Sequence, residues 1–478
     1  MRRTIFVHEW RNLTADRTLW VVSLLFAVLI CYAVSNGARW AAFQRATIDE
    51  VLAEQSARRA KLKESLVEIE TGRREPRGFL DPRSAAAIGQ NTASPYAVMP
   101  PAPLASFAIG QSDLNPSYYK LGLRTKELQL AHDEIENPTH LLSGRFDLAF
   151  VLVYLYPLLI LALSYNLISA EREQGTLALA LSQPVSLGTI VFSKVLFRAL
   201  VLIVLAAAVT TGAALLSGVA LLHDGTAMRL LLWIAVVAAY GAFWFALAVA
   251  VNSFGKSSAS NAIALAGLWL GFVLLIPTLL NVAAAALYPV PSRVEMIQAV
   301  RSATKEATER GSLILARYYE EHPELASASE QRGRPDFAST SYAVQEEVER
   351  LIRPLTSQFD EQIRRQQTMI DRLRYFSPAI LAQEAFNDLA GSGQARYRHF
   401  QALVDEFIDT WRSYFFPRVF QRKLMTSGEI EGLPAFDFRE EPEKAVAARV
   451  AVSLAGIAIP VLLIAVAATG AVRRYRPA

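Results

Sequence analysis

Six long apolar runs with few charges divide the chain, at residues 19–36, 146–169, 189–222, 229–251, 259–287 and 445–472. About 20 apolar residues in a helix cross the roughly 30 Å hydrocarbon layer of a bilayer, so each run predicts a transmembrane helix. Trp20 and Trp40 flank the first run as interfacial anchors. Pro157 predicts a kink in the second, where neighbouring protein can repair the lost hydrogen bond. The first segment, 1–18, interleaves Ile5, Phe6, Trp10 and Leu13 with Arg2, Arg3, Arg11 and Arg17, a pattern suited to a helix lying in the interface. The expected fold is an all-α polytopic membrane protein: six transmembrane helices with two extracytoplasmic helical domains, at 37–145 and 288–444.

Six spans put both termini on one side, and the positive charges say which. Arg2, Arg3, Arg11 and Arg17 at the start, Arg172 and Lys194 about the loop at 170–188, Lys256 in the loop at 252–258, and Arg473, Arg474 and Arg476 in the tail at 473–478 all fall on that side. The opposing short loop, 223–228, carries no Lys or Arg. Positive residues are retained in the cytoplasm, so both termini are expected there, with the chain in the cell inner (plasma) membrane. The arginines of the long segments do not overturn this, because long domains translocate largely regardless of charge. No small-residue cleavage site ends the first run, which is read as a retained span.

Within 37–145 a helical stretch is expected at 48–70, a Pro-rich middle around Pro95, Pro100, Pro101 and Pro103, and a second helix near 118–136. In the larger polar segment, Tyr397, Phe400, Val404, Phe407, Trp411 and Tyr414 alternate steps of three and four, which aligns them on one helix face. Pro354 is expected to open another helix, with Leu355, Phe359, Ile363, Ile370 and Leu373 on its apolar face. Such stripes suit either a bundle that buries them within itself or a surface that docks a partner.

Composition agrees with a membrane protein: 53% of residues are hydrophobic and 19% charged, against roughly 45–50% and 25% in soluble proteins. Cys31, the single cysteine, excludes an intrachain disulfide and a cysteine-based metal site. The net charge of +4 is spread over loops and termini, which points to a membrane surface and to no nucleic acid.

Catalytic groupings are missing. His8-Glu9 begins like a zinc-protease motif, but Asn12 stands where the second histidine belongs. Gly255-Lys256-Ser257 resembles the tail of a phosphate-binding loop, but Ala250 replaces the glycine required five residues earlier, and Lys256 reads as a cytoplasmic anchor. Ser217-Gly218 is preceded by Leu215 instead of glycine, no histidine lies in a span, and central Asp or Glu is absent from the spans. A proton relay thus has no obvious members, and energy must come from elsewhere. The dense polar signal between spans is Glu171-Arg172-Glu173-Gln174-Gly175-Thr176, followed by Leu177 to Leu181 and Ser182-Gln183-Pro184-Val185-Ser186. Glu173 and Gly175 suit a sharp exit from the second span, with Thr176 capping a short surface helix that ends before Pro184. An ordinary charged loop fits the same residues.

The stretch from Glu136-Asn137-Pro138 to Ser186 resembles the type-2 ABC transporter (ABC-2) permease family. The likeness is carried by Gly144-Arg145-Phe146-Asp147, Tyr156-Pro157-Leu158-Leu159, Glu171 to Leu177 and Ser182 to Ser186. The long insert before the last span resembles a branch with a large extracytoplasmic domain of unknown function, DUF3526-like. Both polar domains are far larger than in compact drug-exporting members. The resemblance implies that 170–188 holds the coupling helix that docks into a nucleotide-binding subunit, and that 1–18 is an elbow helix. Glu171, Arg172 and Glu173 would then carry docking charge contacts, with Gln174 beside them and Gly175 and Thr176 setting backbone direction. It also implies a non-catalytic permease subunit of an exporter that binds no cofactor itself, ATP and Mg being held by a partner ABC ATPase. Further partners would be a second permease copy or paralogue and membrane lipid. In this family the fifth span often ends in a re-entrant piece, which Pro277 and Asn281 would mark; a plain proline kink fits these residues equally well. The runner-up reading is a membrane-anchored scaffold that recruits an extracytoplasmic partner, and a membrane enzyme is disfavoured by the missing catalytic groups.

Overall fold

The computed structural model describes residues 17–76, 81–123, 146–183, 186–216, 225–290, 292–323 and 337–474. Among them, six helices are long and apolar enough to cross a membrane, and the protein is an all-α polytopic membrane protein. Span 1 is the start of α1 (Arg17–Glu70). Span 2 runs from Leu148 through π-helical turns into α2 (Tyr156–Ser164), then into α3 (Ser169–Glu173), which is followed by α4 (Thr176–Leu181). Spans 3 and 4 are α5 (Leu187–Leu216) and α6 (Thr226–Asn252). Span 5 joins α7 (Ser258–Trp269) to α8 (Ile276–Leu287) through a π-helical stretch, Leu270–Leu275. The polar segment after it folds as α9 (Arg293–Glu309), α10 (Gly311–Glu321), α11 (Phe337–Leu373), α12 (Pro378–Ala390), α13 (Gln394–Phe420) and α14 (Ser427–Glu431). Span 6 is α15 (Glu443–Arg474).

Several expectations change. α1 does not stop where its apolar run ends; its 54 residues extend about 80 Å at 1.5 Å each. The helix expected at 48–70 is thus the far end of span 1, because no proline interrupts 17–70 and the polar half is rich in Ala, Glu, Lys and Arg. Tyr118–Lys120 is a strand, β2, paired antiparallel with β1 (Tyr96–Val98), instead of the start of a helix. Pairing with a neighbouring strand outweighs local helix propensity over so short a stretch. Residues 121–123 are not helical, and residues 124–136 of that expected helix, with residues 1–16 of the expected elbow, lie outside the described residues. Pro354 sits inside α11 and does not open it; it is exposed, so water can satisfy the carbonyl that the proline ring leaves without a donor.

The two polar segments do not form separate cores. Leu62, Leu66, Ile88, Tyr119 and Leu123 from the first pack with Leu315, Tyr342, Phe400, Trp411 and Phe415 from the second in a single hydrophobic cluster. The two polar segments thus share one core and together form a polar lobe. The stripe on α13 is buried there as a bundle would bury it: Tyr397, Phe400, Val404, Phe407 and Trp411 face the cluster, and Tyr414 packs at its edge. Trp411 Nε1 donates to the Gly89 carbonyl at 2.9 Å. Trp411→Phe keeps most of the apolar body but orphans that carbonyl, and is expected to lower lobe stability by about 1–3 kcal/mol, read by chemical denaturation.

The lobe also reaches into the spans. Ala379, Leu381, Ala382, Ala385, Phe386 and Leu389 of α12 belong to the core of the spanning helices, together with Phe26, Ile160 and Trp233. Phe386 lies against Trp233 with ring centroids 4.4 Å apart. Ser377, which caps α12, donates through Oγ to the carbonyl of Phe272, halfway along span 5, at 2.6 Å. The piece of polar segment that returns to the spans is therefore α12. Span 5 itself continues as helix through Pro277 and Asn281, with Pro277 in the first turn of α8, where a missing N–H is tolerated.

Candidate coupling site

The end of span 2 turns sharply because of Gly175. Its φ of +71° is the left-handed conformation that closes many helices and favours glycine. Gly175 N–H returns to the Arg172 carbonyl at 3.0 Å, and Thr176 Oγ1 donates to the Glu171 carbonyl at 3.2 Å, which ties the start of α4 back to α3. One face of α4 is sunk: Leu177 packs with Leu167, Ile168, Leu187, Val191 and Val472. The opposite face is open, with Leu179 72% exposed.

The three charged residues before the turn have partners inside the chain. Glu171 pairs with Lys194 of α5 at 2.5 Å, and the lysine is buried. Arg172 donates to the carbonyls of Gly255 and, at 3.0 Å, Lys256. Glu173 accepts from Ser258 N–H at 2.7 Å and from Ser258 Oγ at 2.9 Å, so a carboxylate sits on the first turn of α7, where backbone donors and the helix dipole favour it. These contacts join span 2 to span 3 and to the loop between spans 4 and 5. That loop carries Phe254, 75% exposed. Gln174 and Thr176 are exposed at the turn.

Glu173→Lys would remove both bonds from Ser258 and place a cation on a positive helix end. It is expected to raise amide exchange across 253–258 several-fold, whereas Glu173→Gln, which keeps an acceptor, should leave exchange near wild type; hydrogen-exchange mass spectrometry reads both.

Residues 129–277, which contain the turn and every charged contact described at it, match the model of the ABC-2 family transporter proteins. Residues 293–439 match a domain of unknown function, DUF3526. Over 129–277 the chain is thus similar to the ABC-2 family transporter proteins. Among curated proteins, it is 37% identical over 138 residues to the probable ABC transporter permease protein NosY of Stutzerimonas stutzeri, covering 27% of this chain and 48% of that protein. It is 34% identical over 139 residues to the protein of the same name from Pseudomonas aeruginosa, with 27% and 48% covered. The chain thus spans about half the length of the curated relatives it matches. No solved structure matches it.

Its six candidate spans make the chain a multi-pass membrane protein, and the stretch that matches DUF3526 runs through α9 to α14. Among the described residues no group of three or more His, Cys, Asp or Glu is placed to hold a metal ion. Sequence reasoning singled out the turn at Glu171 to Thr176 but missed the groups that fix it: Lys194, Ser258 and the carbonyls of the 252–258 loop. Lys194 carried a readable signal, since a charge inside an apolar run seldom stands without a partner. Phe254 gave none, because a single aromatic beside a span is ordinary.

Proposed function

We propose that this chain is the permease subunit of an ATP-driven exporter, and that the open face of α4 together with Phe254 is where an ABC ATPase subunit docks. The observation that carries the reading is the combination of two exposed apolar side chains with a base cross-linked to several spans. Leu179 and Phe254 stand out into solvent, while Glu171, Arg172 and Glu173 bind the ground beneath them to spans 3 and 5 and the loop after span 4. Apolar anchors surrounded by polar groups are the usual centre of a docking surface. A push on this platform reaches several spans at once, which is what alternation between two permease states requires. In this reading the charged residues act as the frame, and Gln174 and Thr176 form the polar rim.

ATP and Mg belong to the partner, and this chain supplies no cofactor site. In this reading a second permease copy or a paralogue completes the transporter, lipid covers the outer faces of the spans, and the positive loops support an inner-membrane protein with both termini and the docking face in the cytoplasm. The test is purification of the protein from its native membrane in mild detergent. Co-elution of a nucleotide-binding chain supports the permease reading; its absence, with the polar lobe instead retaining an extracytoplasmic protein, would make scaffolding the function.

A further inference from the structure

Span 2 is interrupted between α2 and α3, at residues 165–168. In an unbroken helix the Ile168 N–H would donate to the Ser164 carbonyl. Instead it donates to Asn252 Oδ1, at 3.3 Å, and Asn252 Nδ2 donates to the Ser164 carbonyl at 3.1 Å. The carboxamide of span 4 has been inserted into one rung of span 2. Its orientation is dictated by its neighbours: Nδ2 faces the Ser164 and Ala248 carbonyls, which only accept, while Oδ1 faces the Ile168 N–H and the Asn261 amide, which donate. Asn252 is 1% exposed, so water does not compete for these bonds.

Span 3 supports the same interruption from the other side. Arg198 donates to the Leu163 carbonyl, and Lys194 to the Leu167 carbonyl at 3.5 Å. Four backbone groups about the break, on Leu163, Ser164, Leu167 and Ile168, are thus held by side chains of two other spans. A helix rung made of backbone alone opens only at the full cost of an unpaired buried group. A rung made through a side chain lets the segments on either side change angle while each keeps a partner, and such insertions are a known origin of helix bends.

We infer that 164–168 is a hinge in span 2 and that Asn252, assisted by Lys194 and Arg198, is the positioning residue that sets its angle. The inference rests on the docking reading for its purpose: the hinge lies directly between the membrane shaft of span 2 and the α3–α4 platform. Lys194 bridges the two parts, since it touches both the Leu167 carbonyl and the Glu171 carboxylate.

The test needs only this chain. With Cys31 replaced by serine, nitroxide labels are placed at Gln174→Cys, on the turn, and Val204→Cys, on the exposed face of span 3. Pulsed electron-spin measurements then give the distance distribution between the platform and span 3, which shares its core with the shaft of span 2. The hinge predicts a narrow distribution in the background protein and at least a doubling of its width in Asn252→Ala. Lys194→Met, which keeps the length of the chain but not its donor, should broaden it too. Ser253→Ala, next to Asn252 but bonded only within its own helix, should leave it narrow. Wild-type width in both Asn252→Ala and Lys194→Met would overturn the hinge.

A second readout concerns coupling. Asn252→Ala should still retain the ATPase subunit in purification but show at least a tenfold loss in the stimulation of ATP hydrolysis that the permease gives; full stimulation would remove the coupling role. If no ATPase accompanies even the unaltered protein, the functional reading fails, and the spin-label distances still decide the hinge.

Discussion

A chain carrying both Leu179→Asp and Phe254→Asp is expected to insert and fold as the wild type does, and yet to bind its ATPase subunit at least a hundredfold more weakly. Both side chains are largely exposed, so their replacement removes little from the fold. In a docked complex each would be buried, and full burial of a side chain of this size is worth about 1.5–3 kcal/mol. Two together amount to about 3–6 kcal/mol, and every 1.4 kcal/mol is a factor of about ten in affinity. A buried aspartate adds a desolvation cost in the same direction. Biolayer interferometry with the purified ATPase subunit measures the change. The contrast with Glu173→Lys is informative, because that residue is engaged by Ser258 within the chain and should act by loosening the platform.

The second large effect is expected where the polar lobe meets the spans. Arg229, at the start of span 4, has a side chain only 5% exposed and grips Glu443, at the start of span 6, through Nε at 3.0 Å and Nη2 at 2.6 Å. Its Nη1 reaches the Leu389 carbonyl at the end of α12, at 3.4 Å. The pair ties two spans to the inserted helix, and Arg449 adds a parallel link to Asp388 at 3.2 Å and Glu441 at 2.7 Å. Glu443→Ala leaves a buried guanidinium without its counter-charge, and is expected to destabilise the junction by about 3 kcal/mol. Arg229→Met removes the buried charge itself and leaves a half-exposed carboxylate that water can solvate, so its cost should be clearly smaller. Thermal unfolding in detergent, followed by fluorescence, should rank the two variants in that order. The reverse ranking would mean that the arginine is needed for packing more than for charge.

The six spans were legible because an apolar run long enough to cross a bilayer has few other uses, but the far end of the helix that begins as span 1 was not. That end was illegible for a physical reason: the boundary between membrane and water is a change of solvent, and nothing in residues 37–70 tells a helix to stop there. α12 was illegible for the opposite reason. Thirteen residues that include Glu384 and Asp388 are too short and too polar to read as a span. Their depth comes from the pocket formed by Trp233, span 6 and the π-helical stretch of span 5. Likewise the stripe on α13 announced a buried face, but not that residues from before span 2 would complete its core. At the candidate coupling site, the local turn around Gly175 could be read from its glycine and flanking polar residues. What the charges bind could not, since Lys194 and Ser258 lie 23 and 85 residues away along the chain.

The central claim, that a nucleotide-binding subunit sits on the α4 face, is tested most directly by a site-specific crosslink. A photoreactive amino acid at position 179, activated in intact native membranes, should join this chain to a single soluble ABC ATPase, identified by mass spectrometry, and a probe at the exposed Leu462 of span 6 should not. Crosslinks from position 179 to lipid alone, or to proteins without a nucleotide-binding domain, would contradict the account.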